Sequence, residues 1–140
     1  MFAVVRVRGV VKARKEIGDT LSLLRLRRKM HCVLLKDDKS LKGMLNAVKD
    51  YVTWGEVSDE VLKNLILKRG RKEGDKKLTD KEVPEVFEKI KQNYDFNGIK
   101  KIFRLTPPSK GFRKSIKQHY PNGELGYRGE EINKLLKRMI

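Results

Sequence analysis

The residues whose types could do chemistry are few. His31 and Cys32 are adjacent and form the one pairing of a nucleophile with a base. They lie in the apolar run Met30 to Leu35, which has the length of a strand. Successive strand residues point to opposite faces, so this histidine and this cysteine cannot share a proton. A buried, unreactive cysteine is the expectation. His119 is the second of two histidines, and two histidines with one cysteine fall short of a zinc site. Asp37-Asp38 resembles half of a carboxylate metal site, but the pair fits a turn cap better. Neither a GxxxxGK[ST] phosphate loop nor a GxGxxG fingerprint occurs. What remains is charge. Arg25, Arg27, Arg28 and Lys29 crowd into five residues, and each arginine offers a planar fork to phosphate oxygens. A second basic stretch, Lys110 to Arg128, holds Lys110, Arg113, Lys114, Lys117, His119 and Arg128, with Phe112, Tyr120 and Tyr127 interleaved. Those rings and His119 are of the type that stacks on bases or riboses.

Composition points the same way. The 140 residues carry a net charge of +16 and a pI near 10.1, which calls for a polyanionic partner. A nucleic acid fits this better than an anionic membrane. No window reaches the roughly 18 consecutive apolar residues of a spanning helix. The five-residue apolar start is too short for a signal-peptide core. With a lone cysteine, these features fit a reducing cytoplasm. The charge is uneven: +7 over residues 1–58, +1 over 59–98 and +8 over 99–140. If the two ends of the chain meet in space, they form one large basic face.

The elements that must position these residues follow from periodicity. Phe2 to Val7 is rich in valine and reads as a strand, with Arg6 and Arg8 at its exit. Val10 to Lys15, with Lys12 and Arg14, is a basic connection into a helix from Glu16 to Arg25. Ile17, Leu21 and Leu24 share one face of that helix. The strand Met30 to Lys36 comes next, then a helix from Leu41 to Tyr51, starting at Ser40, whose apolar residues are Leu41, Met44, Leu45 and Val48. Gly43 inside it suggests a close backbone approach. Val52 to Val57 is a third strand, with Gly55 as a bulge candidate. Ser58 caps a helix through Arg69, and Gly70 stops it. Residues 70–77 form a charged, mobile loop. A helix with Val83, Val86, Phe87 and Ile90 on one face begins near Pro84. Asn97-Gly98 turns into a strand from Ile99 to Leu105. Glycine, proline and Asn122-Gly123 argue against long regular structure from Ser109 to Arg128, and this stretch is expected to order on RNA. A last helix presents Ile132, Leu135, Leu136 and Met139.

Three stretches carry a resemblance: Leu24-Arg25-Leu26-Arg27-Arg28-Lys29-Met30-His31-Cys32-Val33, then Lys36-Asp37, then Leu41-Lys42-Gly43-Met44-Leu45-Asn46-Ala47-Val48. Together they resemble the signature of the large-subunit ribosomal protein L-thirty family, whose long eukaryotic form is called L-seven. Arg104-Leu105-Thr106-Pro107-Pro108 and Gly123-Glu124-Leu125-Gly126 resemble the extension of the long archaeal form. The resemblance implies an α+β fold. Its β-α-β-α-β core would span residues 1–57, with a small antiparallel sheet and helices packed on one side. Residues 58–140 would form a helical and extended elaboration packed on that core.

The resemblance also implies a structural constituent of the large ribosomal subunit in the cytoplasm. Such a protein binds ribosomal RNA and neighbouring proteins, in one copy per ribosome. It has no enzymatic activity, no cofactor, no metal and no small-molecule substrate. By carry-over, Arg8, Arg27, Arg28, His31 and Lys42 are the core positions near RNA. Two departures stand out: Arg25 occupies a helix-ending position that is usually glycine, and Ser109-Lys110-Gly111 follows the prolines where two glycines are common. An RNA-binding or RNA-chaperone paralogue outside the ribosome is the alternative. An RNA-processing enzyme using His31, Cys32 or His119 is a reading from a different class.

Overall fold

The chain alternates strand and helix through its first half. In the computed structural model, which describes residues 1–9, 13–96 and 98–140, β1 (Phe2–Arg6), α1 (Lys15–Leu23), β2 (His31–Leu35), α2 (Lys39–Ala47) and β3 (Val52–Glu56) follow one another. Then come α3 (Asp59–Arg69), α4 (Val83–Asn93), β4 (Ile102–Arg104), β5 (Ser115–His119), β6 (Gly123–Tyr127) and α5 (Ile132–Met139). The strands form one sheet in the order β4-β2-β1-β3-β6-β5. β1 runs antiparallel between β2 and β3, with Val4 opposite both Val33 and Trp54. β4 adds antiparallel to β2, and β6 adds parallel to β3. The fold is α+β and the sheet is mixed.

Burial explains why β1 does not alternate in sequence. All five of its residues are buried, because both faces of the sheet are covered. On one face Phe2, Val4, Val33, Leu35 and Trp54 pack with Leu21, Leu24, Leu45 and Val48, in or just after α1 and α2. This is the one-sided core that the resemblance implies. On the other face Ala3, Val5, Cys32 and Leu34 meet α3, α4 and α5 through Leu65, Ile66, Phe87, Ile90, Leu135 and Leu136. The second half of the chain therefore closes the face that the first half leaves bare.

The helix ends follow capping chemistry. Asp38, rather than Ser40, caps α2: its carboxylate accepts the Ser40 N–H at 3.3 Å. Ser58 Oγ accepts the Val61 N–H of α3, as expected. α1 stops at Leu23, two residues short of the expected Arg25, because Arg25 turns to φ +65°. Lys110 also sits at φ +65°, beside Gly111 at +76°. Both departures from the glycine pattern thus fall where the backbone is left-handed. A side chain there costs roughly 1–2 kcal/mol.

Three further expectations are corrected. Ser109–Arg128 holds two five-residue strands, β5 and β6, despite its glycines. Local propensity yields here to pairing with β3, reinforced by a 2.9 Å hydrogen bond from Thr53 Oγ1 to the Gly126 carbonyl. Gly55 is no bulge, since its register with Ala3 is continuous. A Cβ there would lie 1.9 Å from the Gly129 carbonyl oxygen, so the glycine admits the turn into α5. Gly43, by contrast, faces open space. Gly55→Ala is expected to lower stability by about 1–3 kcal/mol, at least the usual cost of overpacking. Gly43→Ala should raise it by about 0.5–1 kcal/mol. Urea denaturation of the two variants checks both signs, and equal midpoints would refute the distinction.

Candidate nucleic-acid interface

The sheet register decides which basic residues meet. Arg6 lies opposite Val52, Val5 opposite Cys32, and His31 opposite Arg104. The exits of β1 and β4 and the starts of β2 and β3 therefore share one end of the sheet. The elbow between α1 and β2 hangs from that end. Arg6 organises it from beneath: although 5% exposed, it donates from Nη1 to the Leu26 carbonyl (2.9 Å) and from Nε to the Arg8 carbonyl (3.0 Å). Burial holds its pKa below the ordinary arginine value. Arg27, Arg28 and Lys29 are exposed on the loop so anchored. Arg8 donates to the Asp50 carbonyl and lies 5.5 Å from the centre of the Tyr51 ring. Arg14 is exposed just before α1, and Lys12 lies outside the described residues.

The distant C-terminal segment reaches the same end. Leu105 N–H donates to the Met30 carbonyl, joining the exit of β4 to the elbow. Arg138 of α5 donates to the carbonyls of Ser109 and Gly111, pinning the loop that carries Lys110. Arg113, Lys114 and Lys117 follow, all exposed. Lys114 donates its backbone N–H to Glu124 (3.0 Å) and its ammonium to the Pro121 carbonyl (2.6 Å). His119 Nε2 lies 2.6 Å from Asp50 Oδ1, in the turn that leads into β3. The two basic regions of the sequence thus flank one surface.

His31 lies on β2 beside the elbow and opposite Arg104, half-buried. Burial, then Arg104, Arg28 and Arg6, hold its pKa below the ordinary histidine value. Its buried Nδ1 has no hydrogen-bond partner among the described residues. The ring also lines an open cavity of about 510 Å³ with Arg25, Lys100, Lys101 and Arg104. Sequence reasoning missed this contribution from β4, although Ile99-Lys100-Lys101-Ile102-Phe103-Arg104 advertises its charge. Cys32 points the other way, into the core under α3–α5, and burial pushes its thiol up to about 12. It does not meet His31 and is no nucleophile at neutral pH.

Three expected interface residues are placed elsewhere. Arg128 is 8% exposed. Its guanidinium pairs with Glu124 Oε2 (2.8 Å), donates to Thr53 Oγ1 (2.8 Å) and also reaches the Glu124 carbonyl. Its charge is spent inside the protein. Lys42 pairs with Asp37 at 2.8 Å, and the Tyr127 hydroxyl donates to Glu56 at 2.7 Å. Both belong to the opposite end of the sheet, where Phe2 pairs with Leu35 and Glu56.

The arrangement is that of a small basic α+β protein with an anion-attracting sheet end and no helix, among the described residues, long and apolar enough to cross a membrane. Residues 2–52 match the family model of ribosomal protein L30p/L7e. Over 99% of both chains, the sequence is 47% identical to large ribosomal subunit protein uL30 of Archaeoglobus fulgidus. It is 41% identical to that of Methanosphaera stadtmanae over the whole of both chains. The identity to that of Nanoarchaeum equitans is 44%, over 100% of this chain and 99% of the relative. The chain belongs to the L30p/L7e family of ribosomal proteins, and the similarity runs through the C-terminal half as well as the core.

Proposed function

We propose that the chain is a structural constituent of the large ribosomal subunit that grips ribosomal RNA with the basic end of its sheet. The observation that carries this reading is the convergence of two basic regions, far apart in sequence, on one surface. Arg8, Arg14, Arg27, Arg28, Lys29, His31, Lys110, Arg113, Lys114, Lys117 and His119 are its working set, joined by Arg104. Residues 1–57 supply the elbow, and 58–140 buttress the sheet and add the second basic loop. Affinity comes from phosphate neutralisation and counterion release, with shape setting the register.

The test has two parts. A tagged copy sedimented from its native lysate should stay with the large-subunit peak after a high-salt wash. Migration to the top fractions would favour the paralogue outside the ribosome. With purified protein and a large-subunit RNA fragment, log affinity should fall linearly with log salt. The Arg27→Ala/Arg28→Ala/Lys29→Ala variant should flatten the slope by roughly 0.7–0.9 for each phosphate it no longer neutralises. Lys42→Ala should leave the slope alone. Equal slopes for the triple variant and wild type would remove the elbow from the interface.

His31 adds a dependence on pH. In the free protein its neutral form is favoured, so this group costs native stability as pH falls from the ordinary histidine value toward its lower native one. A phosphate set among Arg6, Arg28 and Arg104 would offset their repulsion and let the ring take up a proton. Affinity for RNA is therefore expected to rise as pH falls from about 7.5 to about 5.5. His31→Gln should remove most of that rise. A pH profile unchanged in His31→Gln would refute the coupling.

A further inference from the structure

At the end of the sheet away from the basic loops, the surface chemistry changes. Phe2, Trp54 and Tyr127 lie side by side on β1, β3 and β6, with the Tyr127 ring centre 6.3 Å from each of the other two. They floor an open cavity of about 360 Å³ that Asp37, Lys42, Asn46 and Glu56 surround. Phe2 and Trp54 are almost wholly buried, while Tyr127 is 49% exposed. The Lys42 ammonium, paired with Asp37, stands 6.0 Å from the centre of the Phe2 ring. Glu56 is exposed and receives the Tyr127 hydroxyl, a neutral donor that leaves the carboxylate charge uncancelled. That bond first, then burial and the charges of Glu56, Asp37 and Glu130, hold the Tyr127 phenol above its ordinary pKa. On a chain of net charge +16, this is a local site that favours a cation.

We propose that this pocket receives an arginine side chain from an extended basic segment of a neighbouring protein. A guanidinium is planar, is weakly hydrated and stacks on aromatic faces, and its N–H fork matches a carboxylate. The half-exposed Tyr127 provides the stacking face, Trp54 lines the floor beside it, and Glu56 provides the carboxylate. Phosphate is disfavoured here because the Glu56 carboxylate repels it, while the one lysine lining the cavity, Lys42, is already paired with Asp37. A second copy of this chain is disfavoured by the mutual repulsion of two highly basic molecules. The inference rests on the proposed ribosomal setting only for where the partner comes from; the pocket chemistry stands on its own.

Trp54 is the chain's only tryptophan, so its fluorescence reports on this pocket directly. The full-length protein is titrated with a blocked Gly-Ser-Arg-Ser-Gly peptide, with the same peptide carrying citrulline in place of arginine, and with adenosine monophosphate. The arginine peptide should give a saturable change. The citrulline peptide, and the arginine peptide on Glu56→Gln, should bind about tenfold or more weakly, as expected for losing a hydrogen bond between charged groups. Tyr127→Leu should also weaken binding. Circular dichroism confirms the fold of each variant, and Glu56→Gln alone carries the test if Tyr127→Leu does not fold. Absence of a saturable change, equal binding of citrulline, no effect of Glu56→Gln, or tighter binding of adenosine monophosphate would each overturn the proposal. RNA affinity at the basic end should be the same in Glu56→Gln and wild type. Failure of the RNA reading would therefore appear separately.

Discussion

A chain ending at Arg128 is expected to lose its cooperative thermal transition. α5 looks peripheral by length, yet Ile132, Leu135, Leu136 and Met139 are 0–3% exposed against the sheet and α3. At about 1.5–3 kcal/mol for each buried side chain, their loss removes roughly 6–12 kcal/mol. That is of the order of the whole stability of a domain. The damage extends beyond the helix. Asn133 accepts the Ser58 N–H and donates to the Glu56 carbonyl, so it ties α5 to the start of α3. Thr106 donates to the Met139 carbonyl, and Arg138 holds the loop at Ser109 and Gly111. Near-ultraviolet circular dichroism during a thermal scan decides the matter. A truncated chain that melts cooperatively within a few degrees of the full protein would show α5 to be dispensable.

The second large effect concerns Arg128, which sequence reasoning assigns to RNA and the structure buries. Arg128→Leu strands the Glu124 carboxylate, itself only 4% exposed, with the Lys114 N–H as its remaining hydrogen-bond donor among the described residues. It also leaves Thr53 Oγ1 without the N–H it accepts. Breaking a buried pair from one side costs about 3–5 kcal/mol. For a chain of this size that is a fall in melting temperature of roughly 10–20 °C. The double variant Arg128→Leu/Glu124→Leu should recover much of this loss, because no buried charge is left unpaired. If the single variant instead melts like wild type and loses RNA affinity, Arg128 is an interface residue after all.

The positions of these two residues show what a sequence can and cannot say. The stripe of α5 is visible in Ile132, Leu135, Leu136 and Met139, because helix periodicity is local. The same holds for α3 and for its cap at Ser58, whereas the cap of α2 falls on Asp38 rather than on Ser40. Arg128 offers no such signal. Its partners are a glutamate four residues back, in a strand whose pairing is set by β3, and a threonine on β3 itself. Nothing local distinguishes it from Lys117 or Arg113. Arg6 could have been found: it follows Phe2 and Val4 at period two and so falls on a buried face. β6 is hidden because its partner β3 lies in the first half of the chain, where no propensity scale sees across the distance, and β5 in turn depends on β6.

The parallel pairing of β3 with β6 has a consequence for how the protein is made. β3 (Val52–Glu56) emerges from the ribosome well before β6 (Gly123–Tyr127), the strand that covers its outer edge. At 5–20 residues per second, that edge stays open for roughly 4–14 s. Over the same interval the face formed by Ala3, Val5, Cys32 and Leu34 waits for the last of its covering helices. An open strand edge beside an apolar surface is a template for pairing with another chain. The nascent protein is therefore most vulnerable to aggregation until β6 and α5 appear, and its sheet is sealed by segments made well after the strands they cover.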